Sequence, residues 1–76
     1  MKEMLETIVK SLVTDLDAVS INEIEGEKNV IFEVKVAQND MGKIIGKEGR
    51  IANSIRTIMK ALAAKDNKKI SIEFIG

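Results

Sequence analysis

The sequence predicts an α+β domain in the order α-β-β-α-α-β, a three-stranded sheet with helices packed on one face. Three observations carry that prediction. Apolar residues recur at steps of three and four near the N-terminus and again after Arg50, the spacing of one helix face. They alternate with polar residues in two segments centred on Phe32 and Ile72, the spacing of a half-buried strand. A sheet with one apolar face must bury it, and the two helix stripes supply the cover.

From Lys2 to about Asp17, Leu5, Ile8, Val9, Leu12, Val13 and Leu16 form one stripe, with Lys2, Glu3, Glu6, Lys10 and Asp17 toward water. Val19 to Glu25 reads as a strand through Val19, Ile21 and Ile24, with an irregularity near Ile24. Gly26, Glu27, Lys28 and Asn29 form a turn short enough for an antiparallel hairpin. Val30, Phe32, Val34 and Val36 then alternate with Ile31, Glu33 and Lys35. Asn39 and Asp40 offer side-chain oxygens to start a short helix from Met41 to Ile45. Gly46 ends that helix and Gly49 opens the next, Arg50 to about Lys65, with Ile51, Ile55, Ile58 and Leu62 on one face and Met59 beside them. Asp66, Asn67 and Lys68 break the pattern. Ile70, Ile72 and Phe74 form the last strand's inward face, opposite Ser71 and Glu73.

Length bounds what such a chain can do. Its 76 residues make one domain, 1–76, without repeat or linker, and below the roughly 100–150 residues of a typical domain. With no cysteine and no histidine, disulfides, thiolate metal sites and imidazole catalysis are excluded. No apolar run approaches the roughly 20 residues of a membrane helix. No metal or cofactor is expected. The initial methionine and the absence of a signal-peptide core point to a complete, soluble, cytoplasmic chain.

The formal net charge of zero conceals an asymmetry. Residues 1–34 carry three lysines against eight acids, whereas residues 35–76 carry nine basic groups against four acids. Between Lys43 and Lys60 the only acid is Glu48, among Lys43, Lys47, Arg50, Arg56 and Lys60. A local field of that sign attracts phosphates even where the overall charge is neutral.

Three of the five glycines fall in the basic segment Asp40-Met41-Gly42-Lys43-Ile44-Ile45-Gly46-Lys47-Glu48-Gly49-Arg50-Ile51. Gly42 inside a short helix costs about 1 kcal/mol relative to alanine and needs a reason, such as close approach of a backbone or ligand. Gly46 and Gly49, without β-carbons, let the chain turn sharply and point its N–H groups at an anion. The next helix start adds unpaired donors, and Lys47 and Arg50 add counter-charge. A Walker loop is excluded, because three residues rather than four separate Gly42 from Gly46 and Glu48 follows Lys47. A dinucleotide fingerprint is excluded because no Gly-x-Gly occurs.

Gly-x-x-Gly alone also suits a plain helix-turn-helix corner. Here it is embedded in Ile44-Ile45-Gly46-Lys47-Glu48-Gly49-Arg50-Ile51, with Ile55 one turn on, and the whole resembles the signature of the KH RNA-binding domain. With a helix and strand placed before the core, the order resembles the type II form, and the short free-standing chain resembles the KhpA family of small bacterial KH proteins.

That resemblance implies about four single-stranded nucleotides lying beside the loop. Gly46, Lys47, Glu48 and Gly49 would hold the phosphates, and Gly42, Ile45 and Ile51 would form the apolar wall under the bases. Arg50 and Lys43 would flank the strand, and the edge from Lys68 and Lys69 to Ile72 would close the other side. The Gly26–Asn29 turn would be the family's variable loop. Core packing remains an alternative for Ile45 and Ile51, and solvated surface one for Lys68 and Lys69. The resemblance further implies a non-enzymatic RNA chaperone, a homodimer, a complex with a KhpB-type partner, and links to cell elongation and cell-wall homeostasis. Ile58, Met59 and Ile75 are candidate interface residues, with core burial the expected fate of Ile58. Without aromatic residues near the groove, base stacking worth about 1–3 kcal/mol per base is missing, and Glu48 offsets Lys47. Affinity should be low and salt-dependent, with slight sequence preference and RNA favoured over DNA. The competing reading is a protein-interaction subunit with little RNA binding of its own. An enzyme is disfavoured, since Asp40 and Glu48 are the only acid–base groups near the loop and no nucleophile accompanies them.

Overall fold

Leu5, Ile8, Val9 and Leu12 do form a helix, but it stops sooner than their periodicity predicts. In the computed structural model, which describes residues 1–75, α1 spans Lys2–Leu12 and Val13 is already extended, with ψ 159°. The cause lies far along the chain. The carboxylate of Asp40 accepts hydrogen bonds from Thr14 N–H (3.1 Å), Thr14 Oγ1 (2.8 Å) and Asp15 N–H (3.0 Å). Those two amides would otherwise bond back to carbonyls four residues earlier and extend the helix. Leu16, predicted to complete the stripe, instead sits in a single 3₁₀ turn (Leu16–Ala18) and is 53% exposed.

The sheet contains β1 (Ser20–Glu25), β2 (Asn29–Lys35) and β3 (Lys69–Ile75) in that spatial order. The predicted hairpin joins β1 and β2, closed by Gly26 N–H on Asn29 O at 2.7 Å. The irregularity expected near Ile24 does not occur. Pairing is continuous from Ser20 opposite Lys35 to Glu25 opposite Val30, and Ile24 faces Ile31 across the strands. β3 runs parallel to β2, so a crossover must join them, and α2 (Met41–Ile45) and α3 (Arg50–Lys65) provide it. The sheet is therefore mixed.

Val30, Phe32, Val34, Ile70 and Ile72 turn inward and meet Leu5, Val9, Ile44, Ile55, Met59 and Ala63 from the helices. Phe32, Leu5, Ile44 and Met59 are fully buried, each contributing about 1.5–3 kcal/mol. The buried face of α3 is rotated from the predicted one. It consists of Ala52, Ile55, Met59 and Ala63, while Ile51 and Ile58 are 36% and 49% exposed. Two alanines on the packed face let the helix backbone approach the sheet, and a stripe traced through large residues alone misses them. Met59 is consequently withdrawn as an interface candidate, and Ile58 leaves the core. Ile75 is exposed, as an interface residue requires.

α3 ends where Asp66, Asn67 and Lys68 break the apolar pattern. Asn67 adopts positive φ (56°), its N–H bonds Ala64 O and the Lys68 N–H bonds Ala63 O. That left-handed cap satisfies the last carbonyls and turns the chain into β3. Among the described residues, no helix is long and apolar enough to cross a membrane.

Candidate nucleic-acid interface

The basic glycine segment lies at one end of the helical layer. A 3₁₀ turn (Gln38–Asp40) feeds α2, but the expected side-chain cap from Asn39 or Asp40 does not form. Asp40 is fully buried and turned away to the end of α1. The Asp15 and Thr14 amides hold its carboxyl below the ordinary carboxylate range, with the Thr14 hydroxyl and Lys43 adding to the effect. Lys43 Nζ lies 3.8 Å from Asp40 Oδ1 and half of its side chain remains exposed. Asp40 thereby ties the end of α1 to the segment that enters α2.

Gly42 is exposed, and a β-carbon there would meet nothing within 4 Å. No neighbouring backbone explains the glycine; it faces open space. Gly46 differs. Its φ of 67° and ψ of −168° fall in a region accessible essentially to glycine alone, and a β-carbon would sit 2.8 Å from Ile51 Cγ1. Lys47–Gly49 forms one 3₁₀ turn in which Glu48 (φ 56°, ψ 27°) and Gly49 (φ 74°, ψ 14°) are left-handed. Three of the four loop residues therefore have positive φ.

This geometry pins the loop between the two helices. Gly46 N–H bonds Gly42 O and Arg50 N–H bonds Lys47 O, which fixes the loop at both ends. Gly49 caps α3 without a side chain, so the first turn of that helix keeps its partial positive charge. Lys47 makes no ion pair among the described residues. Glu48 leans toward Arg50 rather than Lys47, at 3.9 Å, with both side chains about four-fifths exposed. Such an exposed contact contributes little and is easily displaced by an anion.

Ile45 and Ile51 are 41% and 36% exposed, so core packing does not account for them. Ile51 seats against Gly46, and the two isoleucines put apolar surface beside a phosphate-sized loop. Gly42, Lys43, Ile45, Gly46, Lys47, Glu48, Gly49, Arg50 and Ile51 thus form one cluster. Lys68 and Lys69 do not join it. They follow the far end of α3, whose 16 residues span about 24 Å. Lys68 is also engaged: its ammonium pairs with Glu25 beside the hairpin turn, and that contact holds the Glu25 carboxyl below its ordinary range.

The structure fills the interval with Arg56 and Lys60, which sequence reasoning left out of the site. A shallow cavity of about 310 Å³ between α3 and β3 is lined by Arg56, Lys60, Ile70, Ser71, Ile72 and Glu73. A second, of about 300 Å³, is lined by Lys60, Lys68, Lys69 and Ile70. They share Lys60 and Ile70, so a basic track follows the β3 edge. The signal was present: Asn53, Arg56 and Lys60 succeed one another at helical steps within the basic run. No group of three or more metal-ligating side chains occurs among the described residues.

Residues 2–74 match the family described as KhpA/KhpB, KH domain. The RNA-binding protein KhpA of Clostridium acetobutylicum is 56% identical over 75 residues, covering 99% of this chain and all of that protein. Its counterpart in Clostridium perfringens is 55% identical over the same shares of both chains. The RNA-binding protein KhpA of Aquifex aeolicus is 43% identical, over 99% of this chain and 95% of its own. These relatives bear the names of RNA-binding proteins, not of enzymes. No solved structure gives a significant match. The order α-β-β-α-α-β and the mixed three-stranded sheet are those of a type II KH fold. The chain belongs to the KhpA/KhpB family of KH-domain proteins.

Proposed function

We propose that the chain is a non-enzymatic module that binds single-stranded RNA along the face running from the Gly46–Gly49 loop to the β3 edge. The glycine-built Gly46–Gly49 turn at the uncapped start of α3 carries this reading, set beside the free charge of Lys47 and the exposed Ile45 and Ile51. Relatives named RNA-binding proteins support it. The loop amides and Lys47 hold phosphates, Ile45 and Ile51 support bases across the open face of Gly42, and Lys43 and Arg50 flank the strand. Lys69 contributes charge at the far end, where Lys68 is shared with Glu25.

Membership of the family supports the finer reading: a cytoplasmic RNA chaperone that forms homodimers and works with a KhpB-type partner in cell elongation and cell-wall homeostasis. Weak modules gain avidity by pairing, and exposed Ile58 and Ile75 are the residues available for it. Ile24 and Ile31, exposed side by side on the uncovered sheet face, favour a second reading in which the fold chiefly docks a partner protein.

The decisive variant replaces Lys47 and Glu48 by aspartates. Aspartate tolerates the left-handed conformation of residue 48, so the fold should persist while two negative charges face the phosphates. Loss of RNA retention with an unchanged circular dichroism spectrum is expected. Undiminished RNA binding by that folded variant would overturn the loop assignment, and wild type failing to bind RNA at all would favour the docking reading.

A further inference from the structure

Among the described residues, helices cover only one side of the sheet. On the other side, register sorts the outward side chains into rows across the strands. Ile24 lies opposite Ile31, and the two are 49% and 37% exposed. Two residues on, Glu33 lies opposite Glu73. Two further on, Lys35 lies opposite Ile75, which is also exposed. An acidic row is thus held between two rows that carry isoleucine. Neighbouring strands run about 4.8 Å apart, so two carboxylates in register repel each other. Glu33 accepts a hydrogen bond from Asn22 Nδ2 at 3.0 Å, but neither acid makes an ion pair among the described residues. The pair is a cost to the isolated chain, at a place where one lysine would give attraction instead.

We propose that this uncovered face docks one amphipathic helix of a partner protein, anchored by an arginine set between two apolar residues. The proposal goes beyond the RNA-binding reading and does not depend on it. A guanidinium bridging Glu33 and Glu73 turns their repulsion into attraction, and its planar fork carries donors enough for both. The apolar rows fit the same helix. Alternate residues of a strand are about 6.6 Å apart, so the Ile24–Ile31 row and the Ile75 row are separated by about 13 Å. Along a helix, side chains four and eight residues on lie about 6 Å and 12 Å further. Apolar residues one turn before and one turn after the arginine therefore reach both rows. Three strands of at most seven residues present a face about 14 Å wide and 23 Å long, room for one helix of about 10–12 Å diameter. A second copy of the domain suits it poorly. The face falls well short of the roughly 800 Å² per partner of a standard interface, and two such faces centred on each other oppose four carboxylates. The same carboxylates repel the phosphates of RNA.

The test places the photo-crosslinker p-benzoylphenylalanine at Asn29, an exposed position at the end of the same face, in the full chain within the cells that encode it. The crosslinked peptide is sequenced, with the face otherwise unchanged and with Glu33→Lys. The unchanged face should capture a segment of another protein in which arginine stands between apolar residues at helical spacing. Glu33→Lys sets an attractive pair against Glu73, so this variant should melt no lower than wild type. Its crosslink yield should nevertheless fall about ten-fold or more, as like charges are brought together at the anchor. Glu33→Lys combined with Glu73→Lys should recover the yield when the partner's arginine is changed to glutamate. Capture of a second copy of this chain, of RNA or of a segment without a basic residue would overturn the proposal. So would an undiminished yield in folded Glu33→Lys, or no crosslink at all. A separate finding that wild type binds no RNA would strike the RNA-binding reading and leave this one standing.

Discussion

Two places in this small domain use the left-handed backbone, and they put it to opposite uses. At the end of α3, Asn67 takes φ 56° and the chain satisfies itself: the amides of Asn67, Lys68 and Lys69 all find carbonyls. Between α2 and α3, Gly46, Glu48 and Gly49 take positive φ and lead into a helix whose first turn has no side-chain cap. Equal backbone distortion therefore does not mean equal purpose. Where strain ends in closed hydrogen bonds it is architecture, and where it ends in an uncapped helix start beside a free lysine it marks a site.

Substitutions sharpen that contrast. The largest effect is expected at Gly46→Ala, because the new methyl group both enters a region reserved for glycine and meets Ile51. A loss of about 2 kcal/mol in chemical denaturation is expected, accompanied by weakened RNA binding as Ile51 shifts. Asn67→Ala, lacking the side chain that tolerates left-handed φ, should cost about 1 kcal/mol and leave RNA affinity unchanged. If Asn67→Ala impaired binding as strongly as Gly46→Ala, the division between architecture and site would fail. A smaller change of opposite sign is expected at Glu48→Asn. Asparagine accepts φ 56° more readily than glutamate and removes the acid from the phosphate path. RNA affinity should rise a few-fold while stability increases by about 0.5 kcal/mol.

Asp40 offers a further separation, by pH. Its carboxyl is held low in the folded state by amides of Asp15 and Thr14, so the charged form is the stabilising one. The stability it confers is full above the value of an unstructured aspartate, near pH 4, and is lost as pH falls through the lower folded value. A thermal-denaturation series from pH 7 to about pH 2 should show an acid-side decline that Asp40→Asn flattens. An equal decline in the variant would remove Asp40 from the account.

The order of elements was legible because it rests on local periodicity. α3 begins and ends where its stripe, its glycine start and the Asp66-Asn67-Lys68 stop place it. The loop was legible for the same reason, since glycines bracketing a lysine are a local signature. What escaped is long-range. The end of α1 is set by a carboxylate 26 residues away, and nothing near Val13 announces it. The exposure of Ile58 follows from Ala52 and Ala63 facing the sheet, a choice made by the partner surface rather than by hydrophobicity. Arg56 looked like one more basic residue until the edge of β3 was found beside it, and Lys68 looked free until Glu25 was found across from it.

The most direct test follows backbone amide resonances during titration with a short single-stranded RNA. The amides of Lys47, Glu48, Gly49 and Arg50 should shift most, while those of Asn67 and Lys68 stay nearly still. Shifts centred on the uncovered sheet face around Ile24 and Ile31, with the loop amides unmoved, would contradict the account.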